Sequence, residues 1–339
     1  MGIDEIRIPK LVGLNMGKFL LLGDPHFRPV QFSTGLDLLH WVEKIAEEHK
    51  VDAIINLGDT FDTHGVIRSE ILCEFDQHLR RVNEKKIEYF WVLGNHEFYK
   101  AGDPKYNVLS IFQNKYKKVT TIIDPATING MFFFPYTHEP IEISSIDTKL
   151  AFTHNTFSGC YFDKSRMADS GYNPNNFLFD LVVSGHIHKT QTVGKVFYPG
   201  TPYAQSAAEV DEAKGVYLLD SETLYMEFIP SPFPMWRSIR IDIENATELN
   251  LNKIDKFIIT LVGSKAGVSS FLSSKSATMI SKECSVVFKG EFTDKEKDKR
   301  FKIDHHRDFS DIIKVYFDSV YNVSADKDKI KEAIIANSQ

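Results

Sequence analysis

Residues 52–62 read DAIINLGDTFD, an apolar run of strand type that stops on a glycine and two acids. The run is short and apolar throughout, which predicts a buried strand whose end carries polar chemistry. The same grammar repeats on both sides. KFLLLGDPHF (18–27) and EYFWVLGNHE (88–97) flank it, and KLAFTHN (149–155) and DLVVSGHIH (180–188) follow. Between the first three runs the period changes. Leu38, Val42 and Ile45, with Leu39 and Ala46, recur at helical spacing over residues 34–49; Ile71, Phe75, Leu79 and Val82 do so over 68–86. Strands alternating with helices of this length imply β-α-β units and a sheet with parallel strands.

After residue 118 the texture turns to short strands: VTTIID, MFFFPY, KLAFTH, DLVVSG, KVFYPG and GVYLLD. Their close spacing predicts a second sheet packed on the first, an α/β protein built as a four-layer α/β/β/α sandwich. The two prolines of SPFPMW (231–236) mark the end of that unit. Residues 236–292 read as strand, strand, helix (about 266–282) and strand, a small α+β domain. The expected organisation is an extension over 1–16, a main domain over 17–235, the small domain over 236–292, a charged linker over 293–308 and a helical segment over 309–339. Met16 is an alternative start. In the last segment Phe309, Ile312, Ile313, Tyr316, Phe317 and Val320 form an amphipathic stripe that covers either its own domain or a partner.

The chain has 339 residues, about two domains' worth. Hydrophobic residues make up 42% and charged residues 25%, enough for a sizeable core. No apolar run approaches the roughly 18–20 residues that span a bilayer, and MGIDEI has neither a signal core nor the Ser or Thr of a myristoylation motif, so the chain is read as soluble and intracellular. Cys73, Cys160 and Cys284 are widely spaced and form no C-x-x-C pair, which argues against disulfides or a thiolate metal site. The net charge of −6 means that any positive surface for nucleic acid is local or supplied by a partner.

The polar strand endings place Asp24, His26, Asp59, Asp62, Asn95, His96, His154, His186 and His188 in five successive turns. Each fragment alone is common. Five of them at consecutive strand ends, where the loops of an α/β sheet converge, point to a metal centre. Carboxylate, amide and imidazole donors without thiolate suit Mn²⁺, Mg²⁺, Fe²⁺ or Zn²⁺, with the mixed oxygen and nitrogen set leaning toward manganese. Two ions about 3.5–4 Å apart need a bridging anion, and a carboxylate has two oxygens to offer. Two dications outweigh Asp24 and Asp59, so such a centre stays positive and attracts a phosphodiester.

At these residues the chain resembles the calcineurin-like metallophosphoesterases, whose order is D-x-H, G-D-x-x-D, G-N-H-[DE], H, G-H-x-H. The resemblance implies one divalent ion on Asp24, His26, Asp59 and His188, and a second that shares Asp59 and adds Asn95, His154 and His186. It implies His96 as the catalytic imidazole that protonates the leaving oxygen, with the Asp62 carboxylate orienting it. More narrowly, FPYTHE (134–139), GHIHKTQ (185–191) and the run VFYPGTPYAQSAAEVDEAKGVYLLD (196–220) resemble SbcD-type DNA repair and recombination nucleases, including their phage relatives. That narrower resemblance covers residues 17–236 well and the rest by layout. It implies a manganese-dependent exonuclease and endonuclease, a capping domain over 236–292, a C-terminal helix that binds an SMC-like coiled-coil ATPase of the SbcC type, and a homodimer. Two departures stand out: GDPHF replaces the usual D-x-H-L-G, and Glu97 stands where Asp is usual. Glu97 is similar to the Ser/Thr protein phosphatases, but their Arg-Gly after G-D-x-x-D is absent; Thr63 and His64 stand there, which favours a diester over a dianionic monoester.

Several basic groups are candidates for DNA: His64 with Arg68, the segment Lys115, Tyr116, Lys117, Lys118, and Lys164, Arg166 and Lys189 near the histidine motifs. Arg80, Arg81, Lys85 and Lys86 fit an ordinary solvated helix face equally well. Two other readings compete with a nuclease: a phosphoesterase for a small phosphodiester or a phosphoprotein, and a non-enzymatic module that reuses the fold.

Overall fold

Side chains alternate across a strand, so a strand buried on both faces has to be apolar at every position. Leu20 and Leu22 face one way and Phe19 and Leu21 the other; Ile54 and Ile55 divide in the same manner. In the computed structural model, which describes residues 17–100 and 103–293, the strands Lys18–Leu22, Ala53–Asn56, Glu88–Val92 and Val119–Ile122 pair parallel in that order. Gly215–Asp220 runs antiparallel beside the first of them, and Met226–Pro230 completes a six-stranded sheet. A second six-stranded sheet has Met131–Phe134, Leu150–Thr153, Leu181–Ser184 and Val196–Tyr198 as its parallel centre, with Ala126–Ile128 and Gln191–Val193 antiparallel at its edges.

One apolar cluster joins the two sheets: Phe19, Leu21, Ile55, Phe90 and Val92 meet Phe133, Phe152, Val183 and Phe197. The outer face of the first sheet is covered by the helices Phe32–Glu48 and Ser69–Glu84, whose Leu38, Val42, Phe75 and Leu79 pack on Leu20, Ile54 and Trp91. The outer face of the second sheet differs from the expected helical fourth layer. Among the described residues no helix lies there; residues 137–149 and 154–180 cover it as irregular chain, the latter through Phe157, Tyr172, Phe177 and Phe179. The physical reason is local. Gly159 and Gly171 adopt positive φ, and no 3.6-residue stripe runs through the segment.

Residues 236–292 hold a three-stranded, all-parallel sheet of Trp236–Asp242, Lys256–Gly263 and Ser285–Phe292, with its own cluster of Phe257, Ile259, Leu261, Val268, Phe271 and Ala277. The single helix expected over 266–282 is two, Lys265–Leu272 and Lys275–Glu283. Ser274 is extended and its hydroxyl accepts the Ala277 N–H, so it caps a new helix rather than continuing the old one. This sheet is tied to the main unit at Asp211: Asp211 N–H donates to the Trp236 carbonyl, and Ser238 donates to the Asp211 carboxylate through both N–H and hydroxyl. The connecting Phe233 lies edge-on to Trp41 and Tyr203.

The extension over 1–16, the linker beyond Thr293 and the helical segment over 309–339 lie outside the described residues.

Candidate metal centre

Every ligand candidate sits in a turn that leaves the C-terminal end of a parallel strand, and the parallel pairing brings those ends to one edge of the two sheets. The turns touch backbone to backbone. A Cβ on Gly94 would lie 2.4 Å from both the amide nitrogen and a carboxylate oxygen of Asp59, and one on Gly58 (φ +99°) would lie 2.7 Å from the His154 ring. The glycines therefore allow the turns to approach one another. Asp24, His26, Asp59 and His186 have positive φ although none is glycine, a strain that such turns hold at functional sites.

What holds the turns is Glu97, which is buried. Its Oε2 accepts the N–H groups of Gly94 and Asp59 at 2.9 Å, and its Oε1 accepts Thr60 N–H at 2.5 Å. One carboxylate thus fixes the Asp59 turn against the Asn95 turn. Burial and the neighbouring Asp59 charge push its carboxyl up to about 8, against the backbone donors that favour its anion.

Three groups of side chains converge within coordinating reach: Asp24, His26 and His188; His26, Asp59 and His96; Asp59, His154 and His186. His26 Nε2 lies 2.9 Å from His188 Nε2. Two imidazole nitrogens on one ion at ~2.1 Å each and a right angle would stand about 3 Å apart, so the spacing fits a shared cation. Asp59 faces both ways: Oδ2 is 3.8 Å from His26 Nε2, and Oδ1 is 3.2 Å from His154 Nε2. The Asn95 amide oxygen is 2.8 Å from His186 Nδ1 and 3.2 Å from His154 Nε2. His154 Nδ1–H donates to the Leu57 carbonyl, which leaves the Nε2 lone pair free to ligate at the centre, and His188 Nδ1 lies 3.3 Å from Glu209 Oε1 to the same effect.

The donor set fits divalent ions. Asp24 Oδ2 is buried and has no hydrogen-bond donor, although Oδ1 accepts His186 N–H at 2.7 Å; a cation satisfies such an oxygen. Burial raises the Asp24 carboxyl to about 6. Burial lowers His186 to about 3, helped by His154, so its ring is neutral and able to ligate. Burial would lower His154 as well, but the carboxylates of Asp59, Asp24 and Glu97 carry it up to about 9. A cation held between these groups would supply the positive charge that the His154 proton otherwise supplies.

His96 and Asp62 both lie at the centre, but not in the expected contact. His96 Nδ1 donates to the Asp62 main-chain carbonyl at 2.7 Å, not to its carboxylate. The carboxylate points instead toward Arg28 (3.5 Å) and His26 (3.7 Å), because the turn at 60–65 offers its backbone to the His96 ring. The His64 ring stacks on His96 at 4.6 Å between centroids.

The basic candidates separate. Lys115 and Tyr116 bind Asp76, Lys118 binds Glu88, Arg81 and Lys85 bind Glu43, and Arg68 binds Glu70. Lys164 donates to the Val210 carbonyl. Arg166 and Lys189 line a cavity that reaches His186 and His188. Four residues of the site were not singled out for it from sequence. Arg28 is fixed by Gln31 and the Gln205 carbonyl. Glu209 pairs with the buried Lys214 at 3.1 Å. Asn155 links Pro135, Thr137 and Thr153. The fourth is Glu97 as a clamp; its place in the G-N-H-E motif was the available signal, since a carboxylate there can reach back to the preceding turn.

Comparison with known proteins agrees with this geometry. The sequence profile of calcineurin-like phosphoesterases matches residues 17–190. The chain is 25% identical over 264 residues to exonuclease subunit 1 of Enterobacteria phage T4, covering 70% of this chain and 76% of that protein. It is 26% identical to a putative phosphoesterase of Invertebrate iridescent virus 3, over 55% of this chain and 58% of the relative. A putative phosphoesterase of Invertebrate iridescent virus 6 is 26% identical over 60% of this chain and 75% of its own length. Among the described residues no helix is long and apolar enough to cross a membrane.

Proposed function

The chain belongs to the calcineurin-like phosphoesterase family, and from that premise we propose that it is a DNA nuclease that hydrolyses phosphodiesters with two divalent cations, Mn²⁺ before Mg²⁺ or Fe²⁺. The observation that carries the reading is Asp59, whose two carboxylate oxygens turn to two different sets of histidines. The bound cations would supply positive charge that draws in and polarises a phosphate. Asp24, His26, Asp59 and His188 would hold one, and Asp59, Asn95, His154 and His186 the other. His96, with Nδ1 occupied by the Asp62 carbonyl and its face covered by His64, keeps a fixed ring from which Nε2 protonates the leaving oxygen. Arg28 adds a held positive charge beside the centre. Thr63 and His64, in place of an Arg-Gly pair, leave no guanidinium clamp for a monoester dianion at that position, which supports a diester substrate.

In this reading residues 17–235 are the nuclease domain, 236–292 a capping domain and 309–339 a helical element that binds a coiled-coil ATPase of the SbcC type. The protein acts as the nuclease subunit of such a complex in DNA repair or recombination, as a homodimer inside the cell. A relative described as an exonuclease subunit supports both the substrate and the partnership.

The test is an assay of the purified chain on linear duplex, single-stranded circles and a small chromogenic diester, with Mn²⁺, Mg²⁺ or EDTA. Cutting needs the metal. Asp59→Ala abolishes it together with metal binding, whereas His96→Ala abolishes cutting and leaves both ions bound by calorimetry. Cleavage of the small diester with DNA untouched, even beside a cognate ATPase, would replace this reading with that of a small-phosphodiester enzyme.

A further inference from the structure

Two cavities flank the metal centre, and they share a wall. The smaller, about 260 Å³, is lined by His186, His188 and Lys189 together with Phe162 and Arg166. The larger, about 630 Å³, is lined by Phe162 and Arg166 from the other side, with Tyr136, Thr137 and Tyr172. Its size falls within the roughly 300–1,000 Å³ range of small-molecule sites. The smaller cavity contains the ligand imidazoles, so it is where a phosphate approaches the ions. A strand that leaves that phosphate toward the larger cavity has to cross Phe162.

The crossing point is aromatic and cationic. The Phe162 ring lies 6.4 Å from the His186 ring at 80°, and Tyr136 lies 5.5 Å from the same ring on the larger cavity's side. The Arg166 guanidinium lies over one face of Phe162 at 4.6 Å, and Lys189 Nζ stands 5.6 Å over Tyr161. The turn is built to hold these groups. Phe162 N–H donates to the Arg166 carbonyl at 2.9 Å, and Asp163 Oδ1 accepts the N–H groups of Ser165 and Arg166 and the Ser165 hydroxyl. Gln191 secures the Tyr161 backbone at both N–H and carbonyl. A turn fixed in this way needs little further ordering on binding.

Resting on the phosphodiesterase reading above, we propose that the larger cavity is a subsite for one unpaired nucleobase next to the scissile phosphate, with Phe162 as the ring on which that base stacks. Base stacking on an aromatic face tolerates every base, and a phosphate beside the base meets Arg166. A paired base is already stacked within its duplex and has to be unstacked to enter. Unpaired termini and single strands are therefore bound better than blunt duplex ends.

The experiment measures binding by the full chain in EDTA at low salt, where nothing is cut. The probes are a single-stranded oligonucleotide carrying one 2-aminopurine and the same strand with an abasic site at that position. For the wild type, the abasic strand binds about 5- to 100-fold more weakly, and 2-aminopurine emission is quenched on binding. Phe162→Ala weakens the intact strand by a similar factor, abolishes the quench and no longer distinguishes the two strands. Phe162→Tyr restores all three properties, which separates stacking from a folding defect. Equal affinity of the wild type for intact and abasic strands, an undiminished quench in Phe162→Ala, or no binding of either strand overturns the subsite. Hydrolysis of methyl p-nitrophenyl phosphate by the wild type with Mn²⁺, a substrate without a base, reports separately on the phosphodiesterase reading. If that diester is cut while the base has no effect, only the subsite fails.

Discussion

Glu209 never reaches the centre, yet it sets the ring of one of the proposed ligands. Its Oε1 lies 3.3 Å from His188 Nδ1, its Oε2 accepts Gln205 N–H at 2.9 Å, and Lys214 pairs with it from a fully covered position. Burial alone would raise its carboxyl, but His188 and Lys214 hold it below the ordinary value, so it stays an anion facing the imidazole. Glu209→Gln preserves shape and removes that charge. Mn²⁺ affinity is expected to fall about 10- to 100-fold, as for other groups behind a ligand, with His188→Ala giving a larger loss in the same calorimetric titration. Unchanged affinity in Glu209→Gln would remove Glu209 from the centre's support. At this scale the side chains that converge at the candidate centre could be read from the sequence, because each follows an apolar run. Their supports could not. Glu97 and Glu209 act through burial and backbone contact; the G-N-H-E motif gave a place for Glu97, but nothing in linear order distinguishes the buried Glu209 from an exposed carboxylate.

Between the helices Phe32–Glu48 and Ser69–Glu84 lies a charged cluster in an otherwise apolar layer. Glu43 accepts from His78 at 2.7 Å and from the Arg81 guanidinium at 2.9–3.1 Å. Burial would raise its carboxyl, but these partners bring it down to about 2. A folded value below the unfolded one gives stability that is fully present above about pH 4.5 and is lost as pH falls toward 2. The contribution is on the order of 2–3 kcal/mol. Urea titrations in EDTA should show Glu43→Gln less stable than the wild type at pH 7, with most of the gap closed at pH 2.5. A gap of equal size at both pH values would mean that packing, and not charge, makes the difference. Both helices were visible as stripes, with ends within about two residues of those observed. The strands Val119–Ile122 and Gly215–Asp220 were visible as well, but both were expected in the second sheet and lie in the first: an apolar run tells which residues are buried and says nothing about the neighbouring strand. The irregular cover over residues 154–180 was illegible for a related reason, since its aromatic residues follow no period.

Across the whole molecule the net charge of −6 conceals an uneven distribution. Arg81 and Lys85 on the helix face are tied to Glu43, whereas Arg28, Arg166 and Lys189 stand around the centre, Arg28 beside Asp62 and Arg166 beside Asp163. Composition alone could not have located them. The attachment of the small parallel sheet at Asp211 is likewise visible only in three dimensions. Asp211→Ala removes the acceptor for two Ser238 donors, each worth about 1–3 kcal/mol to a carboxylate. Hydrogen exchange at residues 236–242 is expected to quicken roughly tenfold or more, with little change in the strands Ala53–Asn56 and Glu88–Val92. Equal protection in both proteins would mean that Trp41 and Tyr203, through Phe233, suffice to seat the sheet.

Asp211 lies two positions after Glu209 in one short stretch of chain, which joins distant parts of the molecule. The Ser238 anchor of the far sheet and the carboxylate that faces His188 Nδ1 both belong to this stretch. Because only Val210 separates them, displacing this stretch would move the seat of the small sheet and the carboxylate beside the His188 ring together.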